Sequence, residues 1–207
     1  YRYVMTNSPD LRGIDVALLY QRDLFKLLSS RSISIPPLKQ YRPTRDLLHV
    51  SGLLLTGDTL DVFVCHLPSR SGGAKESESY RLYAAHILRM EVDSIMSIRS
   101  LPQVIIMGDF NDYPTNQSIQ KILEAEAPPV TTNNLASTTG STNFSTVAPS
   151  SLKLYHLLAR KAKSKDFGSY KYRGEWGLLD HLIVSGTLLN QSNHFFTSEE
   201  KANVCLL

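Results

Sequence analysis

Polar side chains follow an apolar run in the sequence VIIMGDFNDYP, residues 104–114. Burying such groups without hydrogen-bond partners is costly. Residues two apart on an extended chain point to the same side, so Asp109 and Asn111 are predicted to face one spot while Phe110 turns into the core. A carboxylate beside an amide suits a hard cation, a phosphate oxygen or a water molecule that is to be deprotonated. The structural alternative is an Asx turn that caps a following helix, which Asp112 alone could provide.

His66 stands at the end of another apolar run, in DVFVCHLPSR. A lone histidine at a strand end is often structural, but the loop SRSGG follows it and carries the hydroxyl of Ser69 and the guanidinium of Arg70. Such a loop suits phosphate binding, because arginine can pair bidentately with phosphate. Arg42 and Arg45 form a separate basic cluster, which is either a solvated surface or, through Arg45, part of a substrate-binding surface.

Asp180 lies within the apolar segment GLLDHLIVS. A carboxylate in such a strand needs a partner, and His181 cannot serve because adjacent strand residues point to opposite faces. Asp180 is therefore either a salt-bridged core residue or an aspartate that orients a catalytic histidine elsewhere in the chain.

The apolar pattern predicts the elements that must position these residues. Gly57-Asp58 favours an antiparallel hairpin between two of the predicted strands. Apolar residues at helical spacing predict a helix over residues 79–98 and a short helix after Pro114. A third helix over residues 152–163 and a long loop over residues 128–149 are further predictions. The predicted strands are residues 14–20, 46–55, 59–67, 103–110 and 178–185, and those at 16–19 and 104–107 are expected to be buried on both faces.

Composition excludes several classes of protein. The chain has 207 residues, 42% of them apolar and 20% charged, as in an ordinary soluble globular protein. The net charge of +3 does not demand a nucleic-acid-binding surface, and no apolar stretch approaches the roughly 18 residues of a membrane span. Its two cysteines form no disulfide framework, and Cys65 is expected to be a buried thiol. A nucleotide-binding α/β domain is disfavoured, because no strand is followed by a glycine-rich phosphate loop of the Walker or Rossmann type.

Four motifs in order resemble the endonuclease/exonuclease/phosphatase superfamily, also called deoxyribonuclease-I-like or exonuclease-III-like. They are RGIDVALLY, VFVCHLPSR, VIIMGDFNDYP and EWGLLDHLIVS, and together they extend from about Arg12 to Ser185. The resemblance implies an α/β fold, a four-layered sandwich of two mainly antiparallel sheets flanked by helices, as one domain over residues 1–207. It also implies hydrolysis of a phosphodiester or phosphomonoester by water with Mg²⁺ or Mn²⁺, in a monomer. The expected substrate is a nucleic acid, a sugar or inositol phosphate, or a phospholipid head group.

The resemblance also assigns roles to residues. His66 would donate to a phosphate oxygen, Asp109 would position or activate the attacking water, and Asn111 would orient the phosphate. Asp180 would buttress a general acid or base histidine. Metal contacts are implied for Asp109 and Asn111, and substrate contacts are expected for Ser69, Arg70 and Arg45.

Two features of the superfamily have no match in this chain. The metal-holding glutamate of the family lies upstream of the segment that matches RGIDVALLY, and the closing Ser-Asp-His-x-Pro segment is not found, since Asp180-His181 lacks the flanking serine and proline. The domain is therefore expected to be incomplete at both ends. The alternative is a catalytically inactive binding or adaptor protein on the same scaffold. The sequence does not determine a cellular location.

Overall fold

The structure is a computed structural model that describes residues 1–130 and 150–205. One long helix, α1, covers Glu78–Ile98. The strands are β1 (Arg2–Met5), β2 (Ala17–Tyr20), β3 (Phe25–Ile33), β4 (Leu47–Leu54), β5 (Thr59–His66), β6 (Gln103–Asp109), β7 (Leu154–His156), β8 (Tyr170–Tyr172), β9 (Glu175–Gly177) and β10 (Asp180–Ser185).

Six strands form the central sheet, in the order β3-β4-β5-β6-β10-β7. Only β5 and β6 are parallel, and α1 makes the crossover between them. The predicted hairpin at Gly57 is confirmed, because β4 and β5 pair in antiparallel register on either side of that turn. Two smaller antiparallel pairs, β1-β2 and β8-β9, lie outside this sheet.

Each face of the central sheet carries its own apolar core. On one face α1 packs with Ala84, Leu88 and Val92, which are fully buried as the helical spacing predicts. On the other face the β1-β2 pair and the C-terminal segments cover residues such as Val50 and Val184. The predicted α/β sandwich of mainly antiparallel sheets flanked by helices is confirmed.

Two predicted elements are wrong. The strand at residues 16–19 is not buried on both faces, since β2 pairs only with β1 and leaves Leu19 largely exposed. Residues 152–163 do not form a helix, because Leu154–His156 pairs with β10 as an edge strand and only a 3₁₀ turn follows at Lys161–Lys163. The apolar spacing there was helical, but a place beside β10 buries the same side chains.

Other segments differ in degree from the sequence prediction. The short helix after Pro114 is a single π-helical turn at Ser118–Ile122. Strand β3 was not predicted, because its Ser-rich middle shows little alternation. Most of the predicted loop at 128–149 lies outside the described residues. Within the described ranges, no helix is long and apolar enough to span a bilayer.

Candidate active site

Three polar side chains lie side by side at the ends of three neighbouring strands, β5, β6 and β10, in the interior of the central sheet. His66 is the register partner of Asp109 across the parallel pair β5-β6. Asp109 is in turn the register partner of Asp180 across the antiparallel pair β6-β10. Register partners project from the same face of a sheet, so these residues form one row, here called the strand-end row. The sheet thus brings together three of the four residues predicted to be catalytic.

Gly108 allows β6 to approach β5 closely at these strand ends. Its φ angle of +128° is one that L side chains rarely adopt. A Cβ atom at this position would lie 2.0 Å from the carbonyl oxygen of Cys65. The glycine before Asp109 is therefore required by the packing of two backbones.

Asn111 lies beside Asp109 for a different reason from the one predicted. The extended conformation ends at Asp109, since Asn111 has a left-handed φ of +51°. Its backbone N–H donates to Asp109 Oδ1 at 2.7 Å, and its Nδ2 donates to the carbonyl oxygen of Leu67 at 3.0 Å. This contact fixes the amide orientation and leaves the amide oxygen of Asn111 as an acceptor. Phe110 is fully buried, as predicted.

Asp112 holds the turn after β6 in place through hydrogen bonds of its carboxylate. Its buried carboxylate accepts hydrogen bonds from Arg81 Nε at 2.7 Å and from the hydroxyl of Ser118 at 2.7 Å. The first bond ties the turn to α1 and the second holds the start of the π-helical turn. The Asx turn that the sequence allowed for Asp112 is instead made by Asp109, and Asp112 is structural through its contacts with Arg81 and Ser118.

His66 and Asp109 are both half-buried and face each other, with Nε2 and Oδ2 3.6 Å apart. Burial, together with the charges of Arg45 and Arg12, lowers the pKa of His66 to about 4, so the ring is neutral near pH 7. Burial and the neighbouring charge of Asp180 raise the pKa of Asp109, although the N–H of Asn111 opposes this. The row thus holds a neutral imidazole beside a carboxylate that is more basic than usual.

Asp180 is exposed at the start of β10 rather than buried within an apolar strand. Its backbone N–H donates to the hydroxyl of Ser169 at 3.1 Å. No ion pair involves its carboxylate within residues 1–130 and 150–205. The alternative of a salt-bridged core aspartate is therefore wrong, and the alternative that Asp180 orients a catalytic histidine stays a prediction.

Arg45 lies beneath the row, away from the surface where substrate contact was expected. Its side chain is only 2% exposed. Nε and Nη2 donate to the carbonyl oxygens of His66 and Leu67 at 3.1 and 2.6 Å, and Nη1 donates to Asp10 at 3.2 Å. Arg45 thus fixes the end of β5, and its predicted contact with substrate stays a prediction.

Arg70 and Ser69 lie in the loop after β5. Arg70 Nε donates to the carbonyl oxygen of Asn111 at 2.7 Å, and its guanidinium lies 4.5 Å from the ring centre of Tyr113. Ser69 accepts a hydrogen bond from the N–H of Ser71 at 3.3 Å. Both side chains are half-buried. Their predicted contacts with substrate remain predictions.

A pair of buried histidines supports the row, and sequence reasoning missed it. His156 Nδ1 accepts the N–H of Leu158 at 3.1 Å, so its Nε2 carries the proton and donates to His181 Nδ1. His181 Nε2 then donates to the carbonyl oxygen of Asp112 at 2.8 Å. Burial lowers the pKa of His156 to about 3 and that of His181 to about 4. The pairing of β7 with β10 creates this contact. It was not found from the sequence because a helix, not a strand, was predicted at residues 152–163.

The β8-β9 hairpin, also missed, leads directly into the row. Ser169, at its start, accepts the backbone N–H groups of Leu179 and Asp180. Tyr170 and Tyr172 lie on one face of the hairpin with nearly parallel rings 6.1 Å apart, and both are exposed. The pattern SYKYRGEWG, with tyrosines two apart before Arg-Gly, was the available signal.

The oxygen donors at the row fit a hard divalent cation. Mg²⁺ is commonly held by one or two carboxylates and completes its shell with water and substrate phosphate. Asp109 and Asp180 supply two carboxylates, and Asn111 supplies the amide oxygen left unused by its bond to Leu67. No cluster of three or more His, Cys, Asp or Glu side chains suited to a metal occurs in the described parts of the chain. The donor set therefore fits a partly hydrated cation rather than a closed protein cage.

One known family matches almost the whole chain. The chain matches the Endonuclease/Exonuclease/phosphatase family over residues 1–205 and belongs to it. No curated protein sequence gives a significant match.

Solved structures share the fold at low sequence identity. The human Nocturnin catalytic domain, determined with a bound sulfate anion, aligns with a TM-score of 0.58 and 18% identity over 89% of this chain and 60% of its own. Danio rerio TDP2, complexed with a single strand DNA product, aligns with a TM-score of 0.53 and 15% identity over 88% of this chain and 62% of its own. A mannosyl-6-phosphatase of Bacteroides thetaiotaomicron aligns with a TM-score of 0.55 and 15% identity over 89% of this chain and 62% of its own. The chain thus spans about three fifths of the length of these structures.

Proposed function

We propose that the protein hydrolyses a phosphoester by attack of water at the strand-end row. The observation that carries this proposal is the register that sets His66, Asp109 and Asp180 side by side at the ends of three neighbouring strands. Membership of the Endonuclease/Exonuclease/phosphatase family supports it.

Asp109 is the base in this proposal and His66 is the electrostatic partner of the phosphate. The water oxygen forms the new bond to phosphorus, its proton passes to Asp109, and the ester oxygen leaves with the electron pair of the broken bond. A raised pKa makes the Asp109 carboxylate a better proton acceptor. A neutral His66 can donate a hydrogen bond to the phosphate oxygen on which charge develops.

Mg²⁺ or Mn²⁺ is the proposed cofactor, held by Asp109, Asn111 and Asp180. When bound, the cation would neutralise charge on the phosphate. The repulsion that Asp180 exerts on ionised Asp109 supports this choice, because a cation between two carboxylates relieves it.

The β8-β9 hairpin favours a nucleic acid among the possible phosphorylated substrates. Bases stack on exposed aromatic rings whatever their identity. Tyr170 and Tyr172 offer two parallel exposed rings, and the guanidinium of Arg173 lies 5.2 Å from the ring centre of Tyr172. Replacement Tyr172→Ala is expected to slow cleavage of nicked DNA without affecting bis-p-nitrophenyl phosphate. Tyr3→Ala, at an exposed tyrosine on β1, is the matched control.

Hydrolysis of bis-p-nitrophenyl phosphate, nicked DNA and inositol phosphates with Mg²⁺ or Mn²⁺ tests the proposal. At least one of these substrates should be hydrolysed in the presence of the metal, and EDTA should stop that hydrolysis. Asp109→Asn should lower the rate about a hundredfold or more. Asp23→Asn, at an exposed carboxylate in the turn before β3, should leave the rate unchanged. Absence of EDTA-sensitive hydrolysis on every substrate would contradict the proposal and favour a binding protein on the same scaffold.

A further inference from the structure

A cavity of about 440 Å³ is lined in part by Arg45 and by the loop that follows β5, and the proposed reaction does not use it. It lies between the loop around Asp10, the segment before β4, the loop after β5 and the start of α1. The lining is rich in hydrogen-bond donors, which come from Arg12, Arg42, Arg45, Thr44, Ser69 and Tyr80.

Two hydroxyl groups in this lining have no protein partner among the described residues. They are Thr44 Oγ1 and the phenol oxygen of Tyr80, each on a side chain that is 3% exposed. A buried hydroxyl without a partner costs free energy. Burial raises the pKa of Tyr80, so the phenol keeps its proton and can donate it. Both groups point to a ligand with oxygen acceptors.

The charges around the cavity select an anion. Asp10 is the only carboxylate in the lining, and it is held by three contacts from Arg12, one of them from the backbone N–H, and by one from Arg45. Arg12 retains Nη1 for a ligand, since its Nε and Nη2 are the atoms that bind Asp10. Arg42 is exposed and forms no ion pair within the described ranges. Three guanidinium groups against one carboxylate leave the lining positively charged.

The geometry points to a second anion subsite, in which Arg12, Arg42, Thr44 and Tyr80 bind a phosphate group other than the one hydrolysed. A phosphate presents several oxygens in a tetrahedral arrangement, which suits guanidinium and hydroxyl donors that converge from different segments. In assigning this phosphate to the substrate the inference rests on the proposed function. Binding of phosphate in the cavity does not depend on hydrolysis.

Arg45 connects the subsite to the row. Its guanidinium holds the carbonyl oxygens of His66 and Leu67 on one side and Asp10 on the other. Ser69 lies three residues after His66 and faces the cavity. A substrate with two phosphate groups can therefore place one at each end of this short segment.

Titration with inorganic phosphate, followed by NMR of the backbone amides, tests the subsite directly. We expect shifts at Thr44, Ser69 and Tyr80. Thr44→Val and Tyr80→Phe remove one hydroxyl each with little change of shape, and each should weaken phosphate binding about fivefold to tenfold. Their melting temperatures should stay the same or rise, because an unsatisfied buried hydroxyl is lost.

Matched variants separate the subsite from the general charge of the protein. Arg42→Ala should weaken phosphate binding about tenfold, and Arg22→Ala, at an exposed arginine in the turn before β3, should not change it. Equal effects of the two arginine variants would overturn the inference. So would lower melting temperatures of Thr44→Val and Tyr80→Phe with unchanged phosphate affinity.

Hydrolysis of two p-nitrophenyl esters tests whether the subsite binds a second phosphate group of the substrate. The compounds are thymidine 5′-(p-nitrophenyl phosphate) with and without a 3′-phosphate. The 3′-phosphate should lower KM, and Thr44→Val should raise KM for that compound alone while kcat stays constant. An equal KM for the two esters would overturn the assignment of the second phosphate to the substrate. Phosphate binding without hydrolysis of either ester would contradict the proposed function and leave the anion subsite supported.

Discussion

Two histidine–aspartate pairs occupy opposite ends of the central sheet. Near the start of β5, His49 Nε2 donates to Asp61 Oδ1 at 3.0 Å. At the far end of the same strand, His66 Nε2 lies 3.6 Å from Asp109 Oδ2, which is too long for an ordinary hydrogen bond. The side chains have the same chemistry, and the difference lies in how many partners surround each carboxylate.

Asp61 is saturated. Arg99 Nε donates to Oδ2 at 2.9 Å and Arg99 Nη2 to Oδ1 at 3.1 Å, and the hydroxyl of Ser51 adds a further bond. Burial raises the pKa of this carboxyl, but the bonds from His49, Arg99 and Ser51 outweigh it and hold the pKa at about 2. Asp109 has one backbone N–H and a raised pKa. A saturated pair stabilises the fold, whereas an unsaturated pair retains hydrogen-bonding capacity for a ligand.

The largest expected effect is on stability, at the saturated pair. Asp61→Asn should lower the free energy of unfolding by about 3 kcal/mol, because His49 and Arg99 lose a buried carboxylate partner. Urea unfolding measures it, with Asp93→Asn in the exposed pair with Arg89 as a control that should cost less than about 1 kcal/mol. Equal costs for the two variants would remove the distinction between saturated and exposed carboxylates.

The next effect is on activity, at the unsaturated pair. His66→Ala should lower kcat/KM about a hundredfold, since a donor to the developing phosphate charge is lost. His49→Ala should lower stability and leave kcat/KM per folded molecule unchanged. Steady-state hydrolysis of bis-p-nitrophenyl phosphate compares the two. A greater loss of kcat/KM in His49→Ala would reverse the roles assigned to the two ends of β5.

Acid should destabilise the protein through buried and half-buried histidines at the end of the sheet that carries the row. The pKa values of His66 and His181 are lowered to about 4 and that of His156 to about 3, whereas an unfolded histidine titrates near pH 6.5. Between pH 6.5 and 4 the unfolded chain therefore binds more protons, so stability should fall as the pH falls.

Urea unfolding at several pH values measures this slope. His156→Gln should reduce the number of protons taken up on unfolding by about one in this pH range. A stability that does not change between pH 6.5 and 5 would contradict the burial of uncharged histidines beneath the row.

A smaller effect is expected from the second carboxylate of the row. Burial raises the pKa of Asp109 first and the charge of Asp180 raises it further. In the absence of metal, Asp180→Asn should therefore lower the pKa of Asp109, which ¹³C NMR of the carboxyl groups against pH measures. An unchanged or higher pKa of Asp109 in Asp180→Asn would show that Asp180 does not act on Asp109 through its charge.

Local sequence signals predicted much of the sheet and the most informative part of the site. Alternation and turn residues located β4, β5, β6 and the hairpin at Gly57, because these features depend on neighbours along the chain. The polar end of β6 identified Asp109 and Asn111 for the same reason.

Pairing between distant strands could not be read from the sequence. The register that sets His66 and Asp180 on either side of Asp109 depends on strands more than 40 residues apart. Burial of Arg45 depends on the carbonyl oxygens of His66 and Leu67, which no local pattern reveals. His156 meets His181 only because β7 joins the sheet at the position where helical spacing predicted a helix.

Titration with Mn²⁺, followed by NMR of the histidine rings, compares the two pairs in one measurement. If the unsaturated end of β5 binds the metal, the ring signals of His66 should broaden strongly, those of His49 should remain sharp, and EDTA should reverse the effect. Equal broadening of both rings, or none at His66, would contradict the assignment of the strand-end row as the reactive end of the sheet.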